Sequence, residues 1–337
     1  MSTNRLVKLF AATLRRPKKK QAARWKTSFR ICTAVAILFS ASVPFAHSAF
    51  AQSNPTARYS SPRGLANRAS FAREEKKFSD DDYRKHIDKL KKRMPEGNFH
   101  IRIQKPFVVI GDESPDRVRS RSIGTIKWSV DKLKKDYFKK DPLHIIDIWL
   151  FKNKTSYEKN CLKLFGSRPT TPYGFYSSEN KALVMNISTG GGTLVHEIVH
   201  PFIESNFPKC PSWFNEGLAS LYEQCREENG KIWGLTNWRL RGLQIHIKDK
   251  KVPTFQTLTS TSRYEFYRED PGTNYSQARY LCYYLQQKGK LRTFYHEFVK
   301  NVGQDPTGYK TLKKVLAIDD FAKFQKSWES YVMDLRF

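Results

Sequence analysis

The chain has 337 residues, 60 lysines and arginines against 32 acids, a formal charge of +28 and 14% aromatic side chains. That length and aromatic content suffice for one large domain or two small ones with a sizeable buried core. The excess charge does not by itself mark the whole chain as the binder of an acidic partner, because it is unevenly spread, and no P-loop, no G-x-G-x-x-G and no serine nucleophile elbow is present.

Residues 1–30 hold ten lysines and arginines and no acid; the first acidic residue is Glu74. An apolar run from Ile31 to Ala46 follows, then Ala49-Phe50-Ala51. A basic segment, a short apolar segment and an A-x-A site compose a secretory signal peptide; the run is short for a membrane span, and an uncleaved N-terminal anchor is the alternative. Residues 1–51 are therefore expected to export the chain to a periplasmic, secreted or envelope-anchored location. Cleavage removes ten positive charges and leaves a chain that is still basic. Such a chain suits contact with an anionic polymer or a membrane surface, although a solvated basic surface accounts for the charge equally, and no specific nucleic-acid motif is present.

Residues 52–66 are rich in Ser, Pro, Ala and Arg and read as a linker; residues 67–94 are charged and helix-prone and end at Pro95-Glu96-Gly97. Together 52–97 form a linker and leading helix, or a removable pro-segment, ahead of a domain over 98–337. Within it His100–Ile103 and Phe107–Ile110 read as strand pieces. Ser114-Pro115-Asp116 starts a helix with apolar positions Ile123, Ile126, Val130, Leu133 and Tyr137. Ile145–Phe151 reads as a buried strand, and Thr155 to Leu164 as a helix stopped by Gly166. Tyr173–Ser177 and Ala182–Ile187 flank Glu179-Asn180-Lys181 as a hairpin. Thr193 is placed to cap the next helix, and the C-terminal third is mainly helical, with an apolar stripe at Ala278, Leu281, Cys282 and Leu285. This order is an α+β plan: a small mixed sheet, then a mainly helical C-terminal subdomain.

The helix after Gly190-Gly191-Gly192 carries His196-Glu197-Ile198-Val199-His200. Histidines four apart share one helix face, so both imidazoles can grip one Zn²⁺, and the adjacent glutamate can take a proton from water activated by it. Asn215-Glu216-Gly217-Leu218-Ala219 follows on a second helix, after a loop with Pro208, Pro211 and Ser212. It offers Glu216 as a third ligand, with Gly217 leaving room beside it. Two histidines and one carboxylate leave the fourth zinc position open, the mark of a catalytic site rather than a closed structural one. Pro201 follows His200 directly and should kink or end the helix there.

These paired motifs resemble those of the gluzincin metallopeptidases. Pro211-Ser212-Trp213-Phe214-Asn215-Glu216-Gly217-Leu218-Ala219 is similar to the P-x-W-x-x-E-G-x-A pattern of the peptidase MA-like families, and the specific match spans about residues 173–225. The resemblance implies a zincin-like fold with an edge strand above the H-E-x-x-H helix. It implies zinc ligands His196, His200 and Glu216, Glu197 as general base, and a peptide or protein substrate. It makes Leu183–Ile187 the substrate-pairing strand and Tyr275 the residue that stabilises transition-state charge, with a packing role for Tyr275 as the alternative. Some gluzincins carry an Asp one turn after the ligand glutamate; here that position is Ser220, so a carboxylate partner for a ligand histidine must come from elsewhere or be absent. The function expected is an exported zinc peptidase; the rival is an inactive zinc-stabilised binding or regulatory module of the cell envelope.

Of five cysteines, Cys32 lies in the N-terminal segment. Cys161, Cys210, Cys225 and Cys282 allow two disulfides in an exported chain, and a Cys210–Cys225 bridge would brace the third-ligand helix; buried thiols are the alternative. His144, His246 and His296 lack metal-ligand spacing and read as structural or surface residues.

Overall fold

A computed structural model describes residues 77–337 of the chain. The expected export segment, with Cys32, and most of the linker lie outside the described residues.

The first element, α1 (Asp80–Lys91), starts at a capping box in which Ser79 and Asp82 satisfy each other's backbone N–H groups. Strands β1 (His100–Gln104) and β2 (Phe107–Gly111) follow, then α2 (Pro115–Arg121), a π-helical turn over Ser122–Lys127, α3 (Trp128–Asp136) and β3 (Ile146–Phe151). Next come α4 (Lys154–Phe165), capped by Asn153 and closed by Gly166 in the left-handed region, and the hairpin β4 (Gly174–Ser177) and β5 (Ala182–Asn186). Two helices carry the motifs, α5 (Gly192–Asn206) and α6 (Ser212–Leu221). A second hairpin, β6 (Cys225–Glu228) and β7 (Lys231–Gly234), leads into α7 (Arg239–Lys248), α8 (Phe255–Ser260), α9 (Arg263–Arg268), α10 (Pro271–Gln287), α11 (Leu291–Asn301), α12 (Tyr309–Leu316) and α13 (Phe321–Asp334). The protein is thus α+β, as expected, with a mixed sheet and a helical C-terminal region. Among the described residues no helix is long and apolar enough to cross a membrane.

The five-stranded sheet runs β1-β2-β3-β5-β4, with β2, β3 and β5 mutually parallel and both outer strands antiparallel to their neighbours. Its central strands are apolar on both faces, as a sheet covered on both sides requires. Phe107, Val109, Ile146, Ile148, Leu150, Leu183 and Met185 join the larger core with α3, α5, α6 and the C-terminal helices. The alternate positions Val108, Ile110, Trp149, Phe151, Ala182 and Val184 join a smaller core closed by α1 and α4. Helix α1 is part of that body: Tyr83 and Leu90 are buried in it, and His86 Nε2 and Arg93 Nη2 reach the two oxygens of buried Asp147 on β3, at 2.6 and 2.7 Å.

Four expectations are corrected. The substrate-pairing strand cannot be Leu183–Ile187, because β5 is buried throughout and paired on both sides; the edge beside α5 is β4. Pro201 does not end α5, which continues to Asn206; Phe202 and Ile203 anchor the last turns in the core, and the Ser205 hydroxyl donates to the Pro201 carbonyl. Gly191, not Thr193, occupies the N-cap of α5. Cys161, Cys210, Cys225 and Cys282 form no disulfide: Cys210 is partly buried near Cys282, whereas Cys225 opens β6 opposite Gly234.

The hairpin β6–β7 went unrecognised in the sequence although Asn229-Gly230 signals it. Both residues have positive φ, 51° and 74°, as a type I′ two-residue turn demands. The turn is pinned back onto α3 by Lys132, which donates to Glu227 and to the Gly230 carbonyl.

Candidate metal centre

The centre is built where α5 crosses α6. Residues 196 and 200 lie one turn apart, and their rings meet edge to face at 5.0 Å. Helix α6 returns Glu216 to them, and one ligand atom from each of His196, His200 and Glu216 falls within 4.8 Å of the others. Glu216 Oε2 lies 3.3 Å from His196 Nε2 and 3.9 Å from His200 Nε2. Two glycines permit this approach. A Cβ on Gly217 would lie 2.9 Å from the Ala278 carbonyl oxygen and 3.0 Å from Cys282 Sγ, so α10 packs directly on the ligand helix. A Cβ on Gly192 would lie 2.1 Å from the Glu223 carbonyl oxygen, so the start of α5 abuts the end of α6 backbone to backbone.

Each ligand is held from behind. His200 Nδ1 is 3.0 Å from Asn215 Oδ1. His196 Nδ1 is 3.3 Å from Glu223 Oε1, an electrostatic contact rather than an aligned hydrogen bond. Tyr267 on α9 donates its hydroxyl to Glu216 Oε1 at 2.6 Å. With an acceptor facing each Nδ1, a neutral ring with its proton there would direct the Nε2 lone pair towards Glu216. Glu223 is itself gripped by Arg239, Nη2 to Oε1 at 2.9 Å and Nε to Oε2 at 3.1 Å, and by Asn237 Nδ2 at 3.0 Å. Ser220, at the position where an acid was sought, bonds back to the Glu216 carbonyl at 2.5 Å. The end of α6 is tied down by fully buried Arg279, whose Nε donates to the Ser220 carbonyl at 3.0 Å.

The electrostatics follow from burial and these partners. Burial works against the Glu216 charge, but His200 and His196 outweigh it, and the carboxyl falls to about 2. Burial likewise opposes the Glu223 charge, and contacts with His196 and Arg239 hold it at about 2. Burial opposes a charged His196, yet the Glu216 and Glu223 carboxylates raise its pKa to about 10. Burial raises Glu197, with His196 and His200 pulling it down; its Oε2 is 3.8 Å from His200 Nε2, and it accepts the backbone N–H of Tyr176 on β4. Glu216 and Glu223 are thus held as carboxylates against their burial by the cationic groups beside them.

Do these residues fit a metal? One buried atom answers. Glu216 Oε2 has no hydrogen-bond partner although it is buried and charged, and the side chain's other oxygen is satisfied by Tyr267. A buried polar atom left open costs free energy unless something else binds it. Once the His196 proton is displaced, two imidazole Nε2 atoms and that oxygen form a donor set of the kind divalent zinc takes.

The structure brings Tyr275 to the same neighbourhood. Its ring packs 5.3 Å from that of Phe266 and 6.2 Å from that of Tyr267, under the Arg239 guanidinium at 5.3 Å. Burial and the charge of Glu216 push its hydroxyl far up, so it stays protonated. Four residues absent from the sequence-level site belong to it: Glu223, Arg239, Asn215 and Tyr267. Asn215 stands inside the N-E-x-x-A motif, and Glu223 is the first acid after Glu216, so both were within reach; Tyr267 and Arg239 are brought in by helices whose packing no local pattern announces. His144 and His296 are exposed, and His246 bonds Thr273 through Nδ1.

Comparison with protein-family models and with curated proteins finds no match to the chain.

Proposed function

We propose that this protein is an exported zinc-dependent peptidase of gluzincin type, with His196, His200 and Glu216 as metal ligands. The observation that carries the reading is the open Glu216 Oε2, aimed at two histidine nitrogens, while Tyr267 holds Glu216 Oε1, Asn215 holds His200 Nδ1 and Glu223 lies 3.3 Å from His196 Nδ1. Zinc bound there supplies Lewis acidity, polarising a carbonyl and lowering the pKa of water towards about 7. The rest falls to the chain. Glu197 is buried next to the ligands and oriented by the Tyr176 N–H. Its raised pKa suits it to accept a proton from the attacking water at a carboxylate oxygen and to pass it to the leaving amine. Tyr275, held as a neutral O–H, donates to the carbonyl oxygen as negative charge builds there. Extended substrate lies along the free edge of β4. Residues 1–51 supply the case for export.

One observation favours a binding module instead: a cavity of about 300 Å³ lined by Asp136, Tyr137, Lys231, Trp233, Arg292 and His296 contains none of the metal ligands. Incubating the purified protein with a diverse peptide mixture, with and without chelator, separates the two. Chelator-sensitive cleavage supports the peptidase. A chelator-dependent fall in melting temperature with every peptide left intact overturns it in favour of the module.

A further inference from the structure

On the peptidase reading, which the following rests on, the substrate side chains that the cleft accepts are open. One side chain on the cleft face of α5 has no part in the metal centre: Glu204. At about 100° per residue, Glu204 lies about 80° round the helix from His196, between His200 at about 40° and Glu197 at about 100°. It stands about 6 Å further along the axis than His200 and about 10 Å beyond Glu197. It is exposed, and its carboxylate Oε2 accepts the Tyr176 hydroxyl at 2.8 Å. Tyr176 thus joins the two acids: its backbone N–H goes to Glu197 and its hydroxyl to Glu204. Since Tyr176 sits on β4, Glu204 is fixed beneath the strand edge along which a peptide would lie.

Two further facts set Glu204 apart from an ordinary surface acid. It lies in the last turn of α5, where a carboxylate is disfavoured by the helix dipole, so helix stability does not account for it. Among the described residues no lysine or arginine lies within ion-pair distance of it, in a chain with nearly two basic residues for every acid.

We infer that Glu204 is a specificity-determining residue that selects peptides carrying lysine or arginine on one side of the bond to be cut. An extended peptide advances about 3.3 Å per residue, so a side chain two or three positions from the attacked carbonyl meets Glu204. Tyr176 holds the carboxylate in place while its other oxygen stays open to an ammonium or guanidinium group.

The test uses the metal-loaded protein and fluorogenic peptides that differ only in bearing Lys, Gln or Glu at each position flanking the scissile bond. The wild type prefers Lys over Gln at two or three positions on one side, by roughly three- to fivefold in kcat/KM, the strength of a solvent-exposed ion pair. Glu204→Gln keeps an acceptor for Tyr176 and brings the Lys-to-Gln ratio to about one. Glu204→Lys turns the preference towards Glu. Zinc content of each variant, measured in parallel, checks that the fold and the centre are intact. Cleavage without any basic preference, or a basic preference that survives in Glu204→Lys, overturns the role of Glu204 and leaves the peptidase reading standing. No cleavage of any peptide by zinc-loaded wild type overturns the peptidase reading and this inference with it.

Discussion

Two buried carboxylates, one on each side of the central sheet, show how differently one fold treats the same chemical group. Asp147 on β3 faces the smaller core; its two oxygens are taken by His86 at 2.6 Å and Arg93 at 2.7 Å. Glu216 on α6 faces the larger core; one oxygen takes the Tyr267 hydroxyl and the other has no hydrogen-bond partner. A buried acid with both oxygens matched by its own chain is a fastener, here of α1 onto the sheet. One left open towards two imidazoles could hold a cation. Burial alone does not separate them, because both are nearly inaccessible to water. The difference lies in the last unpaired atom.

The largest expected effect concerns the acid beside the ligands. Glu197→Gln keeps the size and loses the proton acceptor, so peptide cleavage should fall by about a thousandfold, within the range for loss of a general base. Zinc content should stay at the wild-type level. An active variant would remove Glu197 from the mechanism; an inactive one without zinc would make it a structural part of the centre.

Next is the comparison itself. Glu216→Ala should lower zinc affinity by at least about a hundredfold, since it removes a ligand where even supporting residues are worth 10–100-fold. Elemental analysis after dialysis against a metal buffer reads the loss. Asp147→Asn should leave zinc content unchanged and lower the denaturation midpoint by an amount worth about 1–3 kcal/mol, the cost of unmatched partners at a buried position. The half-exposed Arg93 keeps that figure below the cost for a fully buried pair. If Asp147→Asn also sheds zinc, the two faces are coupled and the contrast fails.

The His196–His200–Glu216 cluster was readable from the sequence because helical spacing alone aligns His196 with His200, and a proline-broken loop of fixed length brings Glu216 back. The sheet's strands were readable too, as their short, nearly continuous apolar runs are local. Their order was not. Which strand forms the edge depends on where β4 inserts beyond β5, and nothing in Leu183–Ile187 distinguishes an interior strand from an edge one except that Asn186 is its one polar residue. Pro201 does not end α5 because its cost is local while the compensation, burial of Phe202 and Ile203, is tertiary. Glu223 escaped for a related reason. It lies past the last turn of α6, and its grip on His196 depends on Arg239, sixteen residues further on.

Glu223 carries the smallest effect and the most specific one. Burial opposes its charge, but His196 and Arg239 lower its pKa from the usual 4.5 to about 2 in the folded protein. An acid with a depressed folded pKa stabilises the fold fully above its unfolded value, and that contribution disappears as pH falls from about 4.5 towards 2. Metal-free wild type should therefore lose stability across that window with a Glu223 share of at most about 1.4 kcal/mol per pH unit, the slope for one proton. Glu223→Gln should flatten the decline by that share, read as denaturation midpoint against pH, while at neutral pH zinc affinity drops by about tenfold because His196 loses the negative charge that orients it and raises its basicity. The two readouts answer different questions. A flattened pH profile with unchanged zinc affinity would mean that Glu223 serves only to bind Arg239. Weaker zinc binding with the wild-type profile would mean that it orients His196 but that another carboxylate sets the acid response. Both changes together make Glu223 the counterpart of the missing acid at Ser220, displaced three residues along the chain and returned to the same histidine by Arg239.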